Sequence, residues 1–163
     1  MQRTTSGFTL LEMLVVILIG SVLTGVTFSG VQGVQTRLAV QGARTMYSTI
    51  HQKARSQAIE MGETVIIQTI PATDVVRTWK RSGAGKAVDE TWNFQTEMDV
   101  DIRGDGFYMC LTPRGYADRD CGALREYGND SGFSTATTAQ RVQFWLGTDS
   151  TSVLVMPMGQ LVR

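Results

Sequence analysis

The sequence predicts an α+β fold: one long N-terminal helix packed on antiparallel β-sheets. Three observations predict it. A helical pattern runs unbroken from Phe8 to Met61, every later segment reads as strand or turn, and seventeen glycines against three prolines suit turn-rich sheets better than a helical bundle.

The helix comes first. From Phe8 to Thr36 the only charged residue is Glu12. The twenty-four residues Phe8 to Val31 would make a helix of about 36 Å, against a bilayer core of ~30 Å. Gly20, Gly25, Gly30 and Gly33 interrupt this run. They permit either close packing on partner helices or local unwinding, and packing is favoured because no proline precedes Pro71. Beyond the apolar run Ala39, Ala43, Met46 or Tyr47, Ile50, Ala54 and Ala58 recur at three- and four-residue intervals, with Arg44, Lys53, Arg55 and Glu60 between them. Small residues on that stripe suit a helix lying close on a sheet. His51 reads as a helix-surface or interface residue, and Gly62 as the stop.

Strands follow. Thr64 to Ile70 is β-branched and ends at Pro71, and Val75 to Lys80 is a second strand before the flexible turn Ser82-Gly83-Ala84-Gly85. Trp92 and Phe94 alternate within an ambiguous stretch, as in a short edge strand. Met98, Val100 and Ile102 alternate with Glu97, Asp99, Asp101 and Arg103, the pattern of a half-buried strand with an acidic outer face. Phe107 to Leu111 reads as a strand, Thr112 to Gly115 as a turn, and 115–139 as a long loop. Val142 to Leu146 and Val153 to Met158 are two late strands joined through Gly147 to Ser150, with a last short one from Leu161 to Arg163.

Composition narrows function. Fifteen basic residues balance fifteen acidic ones, which excludes a global bias toward nucleic acid. No catalytic arrangement stands out: Ser56 lacks a Gly-x-Ser-x-Gly context, and Ser82 to Lys86 is too short for a phosphate-binding loop. Asp99, Asp101 and Asp105 partly imitate a calcium loop, but Arg103 stands where a third ligand belongs and Cys110 where the closing Glu would be. A solvated strand face explains these acids better. Arg103-Gly104-Asp105 is a cell-adhesion tripeptide of the kind that arises by chance. No enzyme activity, cofactor or metal is expected. Cys110 and Cys121 read as one disulfide closing a surface loop if the domain is exported, and otherwise as two free thiols.

The N-terminus carries the most specific signal. A carboxylate early in an apolar helix costs roughly 2.5–3.5 kcal/mol on insertion scales at mid-membrane, so Glu12 asks for a partner. A cut between Gly7 and Phe8 would create one, as a free α-amine. Arg3, then Gly7-Phe8-Thr9-Leu10-Leu11-Glu12 and the apolar run, resemble the class III signal of type IV pilins and type II secretion pseudopilins. The resemblance implies that a prepilin peptidase cuts after Gly7 and methylates Phe8, and that Glu12 pairs with the amino terminus of a neighbouring subunit. An ordinary secretory signal would be cut after the apolar region, near Thr27 to Gly30, and an early acid is atypical there. A plain single-span anchor leaves Gly7, Phe8 and Glu12 without a role.

Looser matches resemble the GspH/FimT branch of minor pilins and minor pseudopilins: Ala54-Arg55-Ser56-Gln57-Ala58-Ile59, Leu111-Thr112-Pro113-Arg114-Gly115, and the close Met158 to Arg163. They imply a leader at 1–7, a transmembrane and assembly helix at 8–36, and a periplasmic β domain at 37–163 that includes the second half of the helix. The expected role is that of a non-enzymatic minor pseudopilin near the filament tip, anchored in the bacterial inner membrane. Its partners would be other pseudopilins or pilins, the prepilin peptidase, the inner-membrane assembly platform and membrane lipid. The alternative is a minor type IV pilin, some of which capture DNA through a C-terminal Gly-Arg-x-Arg motif. Here Gln160 replaces the first Arg and Arg163 is displaced by one, while Arg77, Lys80, Arg81 and Lys86 form a second basic cluster around Trp79. Nucleic acid is possible on this pattern but not favoured.

Overall fold

The computed structural model describes residues 9–82, 85–118 and 134–162, those at 26–32, 81–82, 85–86 and 134–135 without their side chains. The chain divides into two units, Met1–Gln35 and Thr36–Arg163.

Helix α1 runs from Leu10 to Met61. In the first unit every described side chain from Leu10 to Gly25 is exposed, although nearly all are apolar. Among the described residues no helix is long and apolar enough to cross a membrane. The described side chains of the run stop at Gly25, short of the roughly 20 residues a span requires, and the span expected over Phe8 to Val31 lies partly outside them.

The second unit is α+β, with α1 packed on antiparallel sheets. After α1, which Gly62 ends at φ +65°, come β1 (Val65–Ile70), a 3-10 turn (Pro71–Thr73), β2 (Val75–Ser82), β3 (Gly85–Asn93), α2 (Phe94–Met98) and β4 (Asp101–Arg103). Then follow β5 (Phe107–Leu111), β6 (Ala117–Asp118), β7 (Ser134–Thr135), β8 (Gln140–Leu146), β9 (Asp149–Val155) and β10 (Leu161–Val162). One sheet has the order β3-β2-β1-β5-β6, with β7 parallel on β5; the other has the order β10-β9-β8-β4.

The helix meets both sheets through one stripe. Val40, Ala43, Tyr47, Ile50, Ala54 and Ala58 are buried with Val65 and Ile67 of β1, Phe107 and Met109 of β5, and Val142, Phe144 and Val153 of the second sheet. Three alanines let the backbone approach closely, and Tyr47 fills the gap between the sheets. Its hydroxyl lies 3.1 Å from Thr69 Oγ1 on one side, and its ring packs edge-on to Phe144 on the other, centroids 5.5 Å apart. Strand β1 lies between β2 and β5 and is buried on both faces, taking Gln68 and Thr69 into the interior with its β-branched apolar residues. Its outer face carries a smaller cluster of Ile66 and Cys110, with Trp79 and Tyr108 against it.

Three expectations are corrected. Met98 is not part of a strand: 94–98 form α2, and the strand is only Asp101–Arg103. The Asn93 side chain accepts from Thr96 N at 3.0 Å, and Asp99 ends the turn in a left-handed conformation at φ 58°. A local cap thus overrides the alternation of Met98, Val100 and Ile102. The ambiguous stretch before it is a full edge strand, β3, paired along β2. The β8–β9 hairpin turns on Gly147 and Thr148 alone, so Asp149 and Ser150 belong to β9, which ends at Val155 rather than Met158.

Candidate functional site

Thr9 caps α1. Its carbonyl accepts from Glu12 N at 3.1 Å and from Met13 N at 3.3 Å, and its hydroxyl lies 3.3 Å from Glu12 N. Leu10 is therefore the first helical residue and Glu12 the third, the Thr-x-x-Glu spacing of a capping box. The sequence carried this signal, and it gives Glu12 a local use besides the one implied by the resemblance: a carboxylate in the first turn complements the partial positive charge of the helix end. Gly7 and Phe8 lie outside the described residues. The expected cut would fall one residue before the cap, leaving Phe8 ahead of Thr9.

The three segments quoted for the GspH/FimT branch meet at Arg55. Its Nη2 donates to the Gly159 carbonyl at 2.7 Å. A Cβ added at Gly159 would sit 3.3 Å from the same nitrogen, and one at Gly115 would sit 3.2 Å from Ile59 Cδ1 and 4.0 Å from Arg55 Cγ. Both glycines have positive φ, 81° and 80°. The helix end, the β5–β6 turn and the β9–β10 turn thus meet along the Arg55 side chain, the first turn beside its stem and the second at its guanidinium.

His51 departs from expectation. It is a buried residue, 4 % exposed, stacked on Tyr47 with ring centroids 4.7 Å apart. Neither ring nitrogen has a hydrogen-bond partner. Burial, reinforced by the positive Arg55 one turn on, lowers its pKa to about 3, so the ring is neutral near pH 7. Burial likewise raises the Tyr47 hydroxyl, against the opposing effect of its bond to Thr69.

The basic cluster is divided between two faces. Arg77 stands on β2 opposite Gln68, whose side chain accepts from Trp79 Nε1 at 3.1 Å on the outer face. Lys80 instead pairs with Asp89, which also accepts from Gln57 of α1 at 3.1 Å, so it lies on the helix side. The bond from Lys80 holds the Asp89 carboxyl below its usual range, against a modest effect of burial. Lys53 pairs with Glu90 on the same edge. The side chains of Arg81 and Lys86, and all of Arg163, lie outside the described residues.

Cys110 is buried in β5 and is not a free thiol; Cys121 lies outside the described residues. Among the described residues no three His, Cys, Asp or Glu side chains gather as a metal site. Asp99 ends α2, while Asp101 and Arg103 flank the buried Ile102 on β4 with their side chains exposed.

No curated protein and no solved structure matches the chain. The family model of the prokaryotic N-terminal methylation motif matches residues 2–28, which takes in Gly7, Phe8, the Thr9 cap and Glu12. With the α+β unit that follows, this match supports a type IV pilin-like protein, a filament subunit of pilin or pseudopilin type.

Proposed function

We propose that the chain is a minor pseudopilin of a type II secretion system, a structural subunit at or near the tip of the periplasmic pseudopilus that helps initiate its assembly. The observation that carries the reading is the methylation motif over residues 2–28, ending in a helix whose described side chains from Leu10 to Gly25 are nearly all apolar, and exposed. A surface of that size left bare on one chain calls for lipid before assembly and for other helices after it. In this reading the peptidase cuts between Gly7 and Phe8 and methylates Phe8. Glu12 then receives the amine of a neighbouring subunit. Leader, helix and β domain divide at 1–7, 8–36 and 37–163, with the domain in the periplasm. There Cys110 and Cys121, the chain's two cysteines, bond to each other. The junction at Arg55 supports the GspH/FimT branch, because it gives each of the three branch-like segments a place in one contact.

The test is the intact mass of the chain recovered from membranes of a host with a prepilin peptidase. The expected product begins at N-methylated Phe8. A bulky residue in place of Gly7 should abolish cleavage, and Gly7→Ala should disturb it little. Cleavage near Ser29 or Gly30 would overturn the reading.

The second reading is a minor type IV pilin that binds DNA through its β domain, favoured by Arg77 and Trp79 on the outer face of β2. It requires binding that survives physiological salt and is lost on joint substitution of Arg77, Lys80 and Arg81, or on Arg163→Ala. In the first reading, binding is weak and gone at that salt.

A further inference from the structure

A cleft of about 440 Å³ opens between the stretch 37–45 of α1 and the start of β9. Arg37, Gln41, Arg44 and Thr45 line it from one face of the helix, Asp149 and Ser150 from the strand. Its carboxylate is already engaged. Asp149 accepts from the Thr36 hydroxyl at 2.8 Å and lies 3.5 Å from Arg37 Nε. Arg44, two turns further along α1, differs: its Nε is buried and has no hydrogen-bond partner. The Thr45 hydroxyl donates back to the Gln41 carbonyl, so it adds no competing acid. Two arginines therefore line the cleft against one carboxylate, and the Nε of Arg44, closed off from solvent, has no acceptor within the protein.

A guanidinium fork matches the two oxygens of a carboxylate, and a donor left without a partner in the free chain gains when the side chain turns to meet an acceptor. A monoanion closes the charge balance. A dianionic phosphate would leave excess negative charge beside Asp149. We propose that this cleft is a carboxylate-docking site, in which Arg44, with Arg37 beside it, receives an acidic side chain of a neighbouring filament subunit. The proposal rests on the filament reading for the source of the carboxylate, but the chemistry of the cleft does not.

Two measurements on the full chain in detergent test it. In the first, the arginine Nε–H signals are followed by NMR during titration with N-acetylglutamate α-amide, a single glutamate side chain without other charge. Saturable movement of the Arg44 and Arg37 signals is expected, absent with the neutral glutamine analogue and lost from Arg37 in Arg44→Gln. No movement, or equal movement with inorganic phosphate or chloride, overturns the site. In the second, Arg44→Glu is co-purified with the other filament subunits. Loss of one charge-assisted bond predicts a fall of about tenfold or more, with Arg44→Lys retaining most of the yield. Normal recovery of Arg44→Glu overturns the subunit as occupant even if the titration succeeds. Should Arg44→Gln fail to fold, the wild-type titration alone decides the site. Failure of the filament reading shows separately, as normal recovery of a Glu12→Leu chain, and leaves the titration result standing.

Discussion

Acid should unfold the Thr36–Arg163 unit through His51. In the folded chain its pKa is lowered to about 3 from an ordinary 6.5, so the unfolded chain binds the proton more readily. The contribution to stability is fully present above pH 6.5 and is lost as pH falls toward 3. Across the whole window that is 3.5 units, on the order of 5 kcal/mol at 1.36 kcal/mol per unit. Between pH 7 and pH 5 the loss from this one ring is about 2 kcal/mol, a fall of roughly 7 °C in melting temperature for a unit of this size. His51→Leu keeps the volume and removes the titration, and it also removes two buried nitrogens that lack partners. At pH 7 the variant should be as stable as the parent or more so. The assay is urea unfolding of both full chains, followed by tryptophan fluorescence at pH 7 and pH 5. Asp89 titrates at lower pH and is common to both, so it cancels in the difference. The gap between the two proteins should widen by about 2 kcal/mol at pH 5. An equal loss in both would show that His51 is hydrated or hydrogen-bonded in solution, and the argument from its burial would fail.

Glu12→Leu and Glu12→Gln should both leave membrane insertion and cleavage intact while abolishing co-purification with other filament subunits; normal incorporation of both would remove Glu12 from assembly. Thiol labelling of chain recovered from the periplasm without reductant should find neither Cys110 nor Cys121, and two labelled thiols would mean the loop between them is held otherwise. Gly104→Ala should destabilise the unit by about 2 kcal/mol or more, because φ is +135° and an added Cβ would stand 2.6 Å from the Arg141 carbonyl oxygen. A melting temperature unchanged from the parent would show that the β4–β5 turn relaxes freely.

Much of this molecule is written locally. The spacing of Ala43, Tyr47, Ile50, Ala54 and Ala58 determines which face of α1 is buried, since 3.6 residues per turn bring those positions into line. The β-branched run of β1, the stop at Gly62 and the segment Gly7 to Glu12 are equally readable, because each depends on neighbours in the chain. The capping signals were present too, at Thr9 and Asn93. At the second, the alternation of Met98, Val100 and Ile102 reads as a strand, a pattern too short to distinguish one helical turn and a bend from a strand. His51 lies four residues after Tyr47, squarely on the buried stripe, yet its polarity argued for the surface. Only the two sheets closing over that face decided the matter in favour of spacing. The cleft at Arg44 depended on tertiary structure throughout. Its walls come from α1 and from the start of β9, more than a hundred residues later, and no periodicity within either segment brings a guanidinium and Asp149 to the same opening. Charge that is balanced over the sequence is unbalanced there because folding, not composition, decides which ions become neighbours.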